Sequence, residues 1–437
     1  MGNSDGGSMD RKLICRILNH EMMLATGCTE PAAIALTAAY ARQQLTGDPT
    51  QVAVTASVNI IKNAMAAGIP GTDYTGMNYA AALGAVCGKV DRQLQVVDDA
   101  TEADVARAAE LVQSGAVTMA RSEAEDKLYV EVELTNAGHQ SRAIISGSHT
   151  NLVFLEADRK AIPVAAADEK AADITPELIA ETLSIKTIYA FVETLDRAGD
   201  DLHMIEKAIS VNSEISEVGA AGDYGLNVGR NIRKNQEMGL MGRDVVTEAV
   251  AVTSSAADAR MAGANKPVVT NSGSGNQGIT ATMPIVAAAR SLGIGEDRMF
   301  KAVTLSNLMA IHIHSRFGLL SGLCGATIAA TGAACGLVYL MGGTEEQVGY
   351  AVNNMLGDVT GMLCDGAKAD CALKISTCVF TAFHCAGMAL RGETVKATDG
   401  IVETDPEKTI RNFVRLGNDG SPQMDDLVLD ILLNKAK

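Results

Sequence analysis

Basic residues are scarce in this 437-residue chain: 36 Lys and Arg stand against 52 Asp and Glu, a formal net charge of −16. They form no cluster that overrides this balance, which argues against nucleic acid and anionic membrane and for small neutral or zwitterionic ligands. Tryptophan is absent. The 28-residue uncharged run from Phe317 to Thr344 therefore lacks the Trp anchors of a membrane span. It exceeds the roughly 20 residues a helix needs to cross a bilayer, but its Gly, Ala, Ser and Thr suit close packing among other helices. It reads as a buried central helix. Met1 to Ser8, MGNSDGGS, lacks the basic-then-apolar order of a signal peptide and reads as a disordered leader, so secretion is not expected. Nine scattered cysteines, an odd number, do not make a disulfide framework, which small secreted domains need and this length does not. A reducing cytoplasm is the expected location.

What is present sorts into two kinds of segment. Arg11 to Leu45 reads as two helices broken at TGCTEP, Thr26 to Pro31, where Thr29 can cap and Pro31 can occupy a first turn. From Gln51 come β-branched runs, VAVTASVNI, KLYVEVELT, SRAIISGS and NLVFLEAD, the second with period-two alternation. Between them, Tyr79 to Lys89 and Glu102 to Ser114 have helical spacing. After Thr175 helix follows helix, broken at Gly199, Gly293 and Gly342-Gly343. The predicted fold is α+β. Residues 1–50 and 165–437 build a mostly helical catalytic domain, and residues 51–164 form a smaller inserted α/β domain, with Pro163 to Asp173 as the linker out of it.

Chemistry concentrates at GMLCDGAKADCALKIS, Gly361 to Ser376, where Cys364 and Cys371 flank a polar loop that runs into a helix. Two thiols at this spacing are weak evidence for a metal site, and a third partner is needed. Cys324 is the best candidate, placed where a Gly/Ser-rich turn meets the uncharged run. Three thiolates can hold an iron-sulfur cluster and leave one iron open. Cys371, Cys378 and Cys385 recur every seven residues, about 10 Å apart along a helix, so one cluster cannot reach all three. Cys378 and Cys385 then read as core. Cys28 stands just before a helix N-terminus, where exposed N–H groups and the dipole favour thiolate. A small buried apolar residue is an equally good reading of Cys28 from these residues alone.

The loop NSGSGNQG, Asn271 to Gly278, offers backbone N–H groups and hydroxyls to an anion at the start of an apolar helix. An ordinary flexible turn explains it as well. The loop also looks like the phosphate-binding loop of pyridoxal-dependent dehydratases of the tryptophan-synthase type. Those enzymes set it among alternating strands and helices with an upstream lysine, whereas here the flanks are helical and only Lys266 is near.

The order and spacing of GCTEP (Gly27 to Pro31), NSGSGNQG, LSGLCG (Leu320 to Gly325) and CDGAKADCALK (Cys364 to Lys374) resemble, along nearly the whole chain, the L-cysteine desulfidases. They resemble more distantly the iron-sulfur L-serine dehydratases, whose later Cys pair begins CDP. Here the pair begins CDG and is more closely spaced, which favours the desulfidase. The resemblance implies pyridoxal-independent β-elimination of L-cysteine to sulfide, pyruvate and ammonia. It implies a 4Fe-4S cluster held by Cys324, Cys364 and Cys371, with one iron not ligated by protein, no pyridoxal phosphate, and Cys28 as the base beside the substrate. Glu30 is placed to orient or relay. Loop chemistry and motif together assign the substrate carboxylate to Ser272, Ser274, Asn276 and Gln277. His312, His314 and Arg316 read as helical packing. The alternatives are an iron-sulfur L-serine dehydratase or related β-eliminating amino-acid lyase, and a non-catalytic metal or iron-sulfur sensor. Structural zinc takes four ligands, whereas three cysteines are well placed here. The expected partner is a small amino acid, with neither nucleic acid nor membrane; a homodimer is compatible with the sequence, which leaves oligomeric state open.

Overall fold

The computed structural model describes residues 9–164, 174–317, 322–420 and 422–435. The leader Met1 to Ser8, most of the linker Pro163 to Asp173, and Leu320 and Ser321 of the LSGLCG motif lie outside the described residues.

The period-two pattern of Tyr129–Thr135 turns Val130, Val132 and Leu134 to one buried face, as strand geometry requires. This strand is third in a six-stranded sheet. The order across it is Val117–Arg121, Gln51–Ala56, Tyr129–Thr135, Gln140–Ser146, Leu152–Ala157 and Lys160–Ala161. The first two strands are parallel and every other pair is antiparallel. The run VAVTASVNI is only half strand: pairing stops at Ala56 and Val58–Ala64 is helical. Ser57 ends the strand by donating its hydroxyl to Lys127 O at 2.7 Å. The helix then delivers Lys62 and Asn63 to buried partners on other segments, and this tertiary gain outweighs the β-propensity of Val58, Ile60 and Ile61. The strand Val117–Arg121 was not evident in the sequence.

Under the sheet lies a core that includes Ile34 and Leu36 of the helix Thr29–Gln44, together with Met77–Cys87. These two helices approach so closely that a Cβ at Gly84 would lie 2.1 Å from Ala35 O. A second core is helical. Its centre is Gly325–Leu340, buried at every residue from Ala326 to Leu340. Around it pack Gly275–Leu292, Glu296–His314, Glu345–Asp358 and Cys371–Leu390. Small residues make this possible, since a Cβ at Gly332 would sit 2.4 Å from Ser306 O. One helix among the described residues, Cys371–Leu390, is long and apolar enough to cross a membrane by length and composition; its Ile375, Cys378, Val379 and Ala382 are buried in this core.

A two-stranded antiparallel ribbon, Leu24–Thr26 with Pro267–Val269, joins distant parts of the chain. Cys28 follows one strand and Asn271 the other. Asn212 pins the ribbon by accepting from Val269 N–H at 2.9 Å and donating to Val269 O at 3.3 Å.

Candidate active site

Leu323 and Leu363 form an antiparallel bridge. Beside it, Cys324 N–H donates to Met362 O and Cys364 N–H to Gly322 O, each at 2.9 Å. Side chains alternate across such a pair, so Cys324 and Cys364 project from the same face. Cys324 then caps Gly325–Leu340, and Cys371 begins Cys371–Leu390. Burial pushes the Cys324 thiol well above its ordinary pKa, and the nearby Cys364, Cys378 and Cys371 push it further. Burial likewise raises Cys371, with Cys364 adding to it. The three candidate ligands are therefore neighbours. Among the described residues, no three Cys, His, Asp or Glu side chains close on a single ion.

The loop between Cys364 and Cys371 is folded on Asp365, whose carboxylate pairs with Lys368 at 2.7 Å and also with Lys374. Burial works to raise this carboxyl, but the two ammonium groups outweigh it and hold it at about 2. Gly366 has φ +103°, and a Cβ there would lie 2.4 Å from Lys62 O. Proline, fixed near −65°, cannot adopt that conformation, which gives CDG a backbone cause in this chain. From the other side the buried Lys62 donates to Asp425 Oδ1 at 2.6 Å and to Cys364 O at 3.3 Å. Because Asp365 titrates below its ordinary 3.8, the clamp is intact above that value and opens as pH falls through about 2. Asp365→Asn removes the anion at every pH, and hydrogen bonds to charged groups are worth about 1.5–3 kcal/mol. We expect the variant to retain less iron after anaerobic reconstitution and gel filtration. Iron per chain equal to the parent's would show that the loop keeps its shape without the clamp.

Cys28 caps Thr29–Gln44 and is 2% exposed. Its Sγ lies 3.8 Å from Met261 Sδ, and Cys371 packs against the same small cluster. Burial pushes the thiol up to about 12, Arg260 pulls it down, and Glu30 and Cys371 push it up. The expectation that the helix N-terminus lowers this pKa is corrected here, because removal from water outweighs the dipole. Glu30 is buried beside it, accepting from Asn63 Nδ2 at 2.9 Å and Thr29 Oγ1 at 3.1 Å.

In the glycine loop, Ser272 takes φ +48° and its hydroxyl donates to Asn271 Oδ1 at 3.1 Å. Ser274 Oγ accepts from Gln277 N–H at 3.4 Å and caps Gly275–Leu292. Both hydroxyls are thus engaged within the loop. Asn276 Nδ2 donates to Met261 Sδ at 3.3 Å, while Asn276 Oδ1 and Gln277 Oε1 are buried without a hydrogen-bond partner among the described residues. A Cβ on Gly325 would lie 3.0 Å from Gln277 Cδ. The structure therefore brings Cys28, Cys371 and Asn276 together around Met261, and Gln277 against the start of the Cys324 helix.

His312 and Arg316 belong elsewhere. His312 Nε2 is 2.9 Å from Glu407 Oε2, and Arg316 Nη1 is 3.0 Å from His312 Nδ1, a part-buried tie to the helix Pro406–Asp419. Burial lowers His314 to about 4. His149, in the turn after Gln140–Ser146, is a residue the sequence reading missed. It is buried, and its ring is so close to Gly273 that a Cβ there would lie 3.2 Å from Nδ1. Its Nε2 has no hydrogen-bond partner among the described residues. Lys62, Asn63, Arg260 and Met261 were missed as well.

The family described as serine dehydratase alpha chain matches residues 91–430. A UPF0597 protein of Bacteroides fragilis is 40% identical over 430 residues, covering 98% of this chain and 99% of its own. UPF0597 proteins of Oleidesulfovibrio alaskensis, 42% identical over 96% of this chain and 97% of theirs, and of Clostridium perfringens, 39% over 98% and 99%, are similarly related.

Proposed function

This chain belongs to the serine dehydratase alpha chain family and shares its lyase character, and from that premise we propose that it is an L-cysteine desulfidase that depends on a 4Fe-4S cluster. The observation that carries the reading is the neighbourhood of Cys324, Cys364 and Cys371, with a fourth thiol, Cys28, packed beside Cys371. Three thiols are the donor set of a cluster with one iron free of protein ligands. Cys324, Cys364 and Cys371 would hold the cluster, which when bound would supply Lewis acidity toward a departing sulfur. The chain's own residues do the rest. Cys28, as thiolate, takes the Cα proton; the C–H electron pair becomes the Cα–Cβ double bond, and the C–S bond breaks with its pair leaving on sulfide. The aminoacrylate hydrolyses to pyruvate and ammonia.

Burial raises the Cys28 thiol, and a thiolate of raised pKa is the stronger base toward a carbon acid. Glu30, beside it and oriented by Asn63 and Thr29, is the group that relays the proton away. The polar atoms of Asn276 and Gln277 face the substrate, and Ser272 and Ser274 shape the loop that presents them.

A second reading, L-serine dehydratase, is supported by the family's description. Steady-state comparison of L-cysteine, L-serine and L-threonine on anaerobically reconstituted protein separates the two, with sulfide and pyruvate as products. We expect L-cysteine to be favoured in kcat/KM by at least ~10-fold, the lower end of discrimination by one group in a pocket. Faster turnover of serine gives the second reading, and a loaded protein with no turnover of any of the three gives a sensor.

A further inference from the structure

Arg260 is the penultimate residue of the helix Val245–Met261 and is 4% exposed. Among the described residues its guanidinium has no carboxylate within ion-pair distance. Among the same residues its Nε is buried without a partner, and Nη1 is 3.6 Å from the sulfur of Met261. Met261 Sδ also receives the Cys28 thiol at 3.8 Å and the Asn276 amide at 3.3 Å. Three donors thus converge on a thioether, a weak acceptor. A buried charge without a counter-ion is strongly unfavourable.

The guanidinium's position sharpens the point. A Cβ on Gly275 would lie 2.2 Å from Arg260 Nε, so the cation is packed on the first residue of Gly275–Leu292. Helix N-termini favour anions, and a cation is the wrong partner for one. Cation and helix end together make a site that one anion satisfies twice. The buried, unpartnered Asn276 Oδ1 and Gln277 Oε1 are acceptors close by, suited to an ammonium group.

We infer that Arg260 is the receptor for the substrate's α-carboxylate, and that Asn276 Oδ1 and Gln277 Oε1 take its ammonium group. The site then selects a zwitterionic α-amino acid by charge, whatever the leaving group. This rests on the lyase reading above, and it moves the carboxylate from the loop hydroxyls of Ser272 and Ser274 to a fixed cation.

The test compares reconstituted parent, Arg260→Met and Arg260→Lys with two probes, L-cysteine and 2-aminoethanethiol, which keeps thiol and ammonium but has no carboxylate. Binding is read from the cluster absorbance, and KM and kcat from pyruvate. Arg260→Met should raise half-saturating L-cysteine at least ~30-fold, the scale of one hydrogen-bonded charge pair, and leave 2-aminoethanethiol within ~3-fold of the parent. Arg260→Lys should recover part of the loss. The ligand-free thermal midpoint of Arg260→Met should be equal to or above the parent's, because an unpaired buried charge has been replaced by an apolar chain. A structural arginine would lower it, so a destabilised or unfolded Arg260→Met overturns the inference. So does L-cysteine binding within ~3-fold of the parent, or equal weakening of both probes. If the parent does not act on L-cysteine, the desulfidase reading fails by itself. L-Serine against ethanolamine then puts the same question to Arg260, and equal loss of both in Arg260→Met, or of neither, overturns it.

Discussion

Cys324→Ala, Cys364→Ala and Cys371→Ala are each expected to lose the brown absorbance of the reconstituted protein together with all activity, while Cys378→Ala and Cys385→Ala keep both. The contrast is demanding because Cys378 is no distant control. It is near enough to Cys324 to raise its pKa, and its Sγ is 3.5 Å from Met362 Sδ, next to the Leu323–Leu363 bridge. Yet it lies two helical turns below Cys371 and is wholly buried in the helical core, where burial holds its thiol at about 12. Cys324, Cys364 and Cys371 instead stand at chain entries, one capping a helix, one beside the bridge, one opening a helix. Losing Cys378 should cost about 1 kcal/mol of stability, as for a typical substitution, and no iron. A colourless Cys378→Ala with a coloured Cys371→Ala would transfer the ligand role down the helix.

The cysteines were legible because their surroundings are local. Cys324, Cys364 and Cys371 each sit where glycine or a polar turn meets a helix, and the seven-residue recurrence of Cys371, Cys378 and Cys385 fixes a common helical face without any tertiary knowledge. The alternation of Tyr129–Thr135 is equally local. The remainder of the site depends on partners far apart in sequence. Lys62 reaches Cys364 and Asp425 across some three hundred residues or more, and nothing near it announces either. The ribbon Leu24–Thr26 with Pro267–Val269 consists of three-residue strands that no periodicity can reveal, although it sets the positions of both Cys28 and the glycine loop.

Charge burial was hidden for the same reason. Arg260 in AADARMAG looks like one charged position on a helix that would otherwise face solvent, and only packing on Gly275 makes it a buried cation. The Cys28 pKa was misjudged because the helix end is visible in the sequence and the burial is not. At an exposed terminus the dipole would win; at 2% exposure desolvation does.

That burial decides what Cys28→Ser should do. Cys28 is proposed to act on the Cα proton and to touch no iron at rest, so the serine variant should retain the cluster. It should still bind L-cysteine, seen as a perturbed cluster spectrum, and turn over at least ~100-fold more slowly, the lower end of what a positioned base contributes. A serine hydroxyl fits the same N-cap position, so the fold around Thr29–Gln44 should survive; its alkoxide is far less accessible than a thiolate, so the proton has nowhere to go. Exchange of Cα hydrogen with solvent deuterium gives an independent view, because without the base it should cease even where the substrate is bound. Glu30→Gln supplies the complement: with the relay impaired and the thiol present, exchange should slow but persist. If Cys28→Ser instead comes through reconstitution with no iron, Cys28 is a fourth ligand. Its place against Cys371 would then close the cluster, and an elimination mechanism that relies on an open iron would have to be given up.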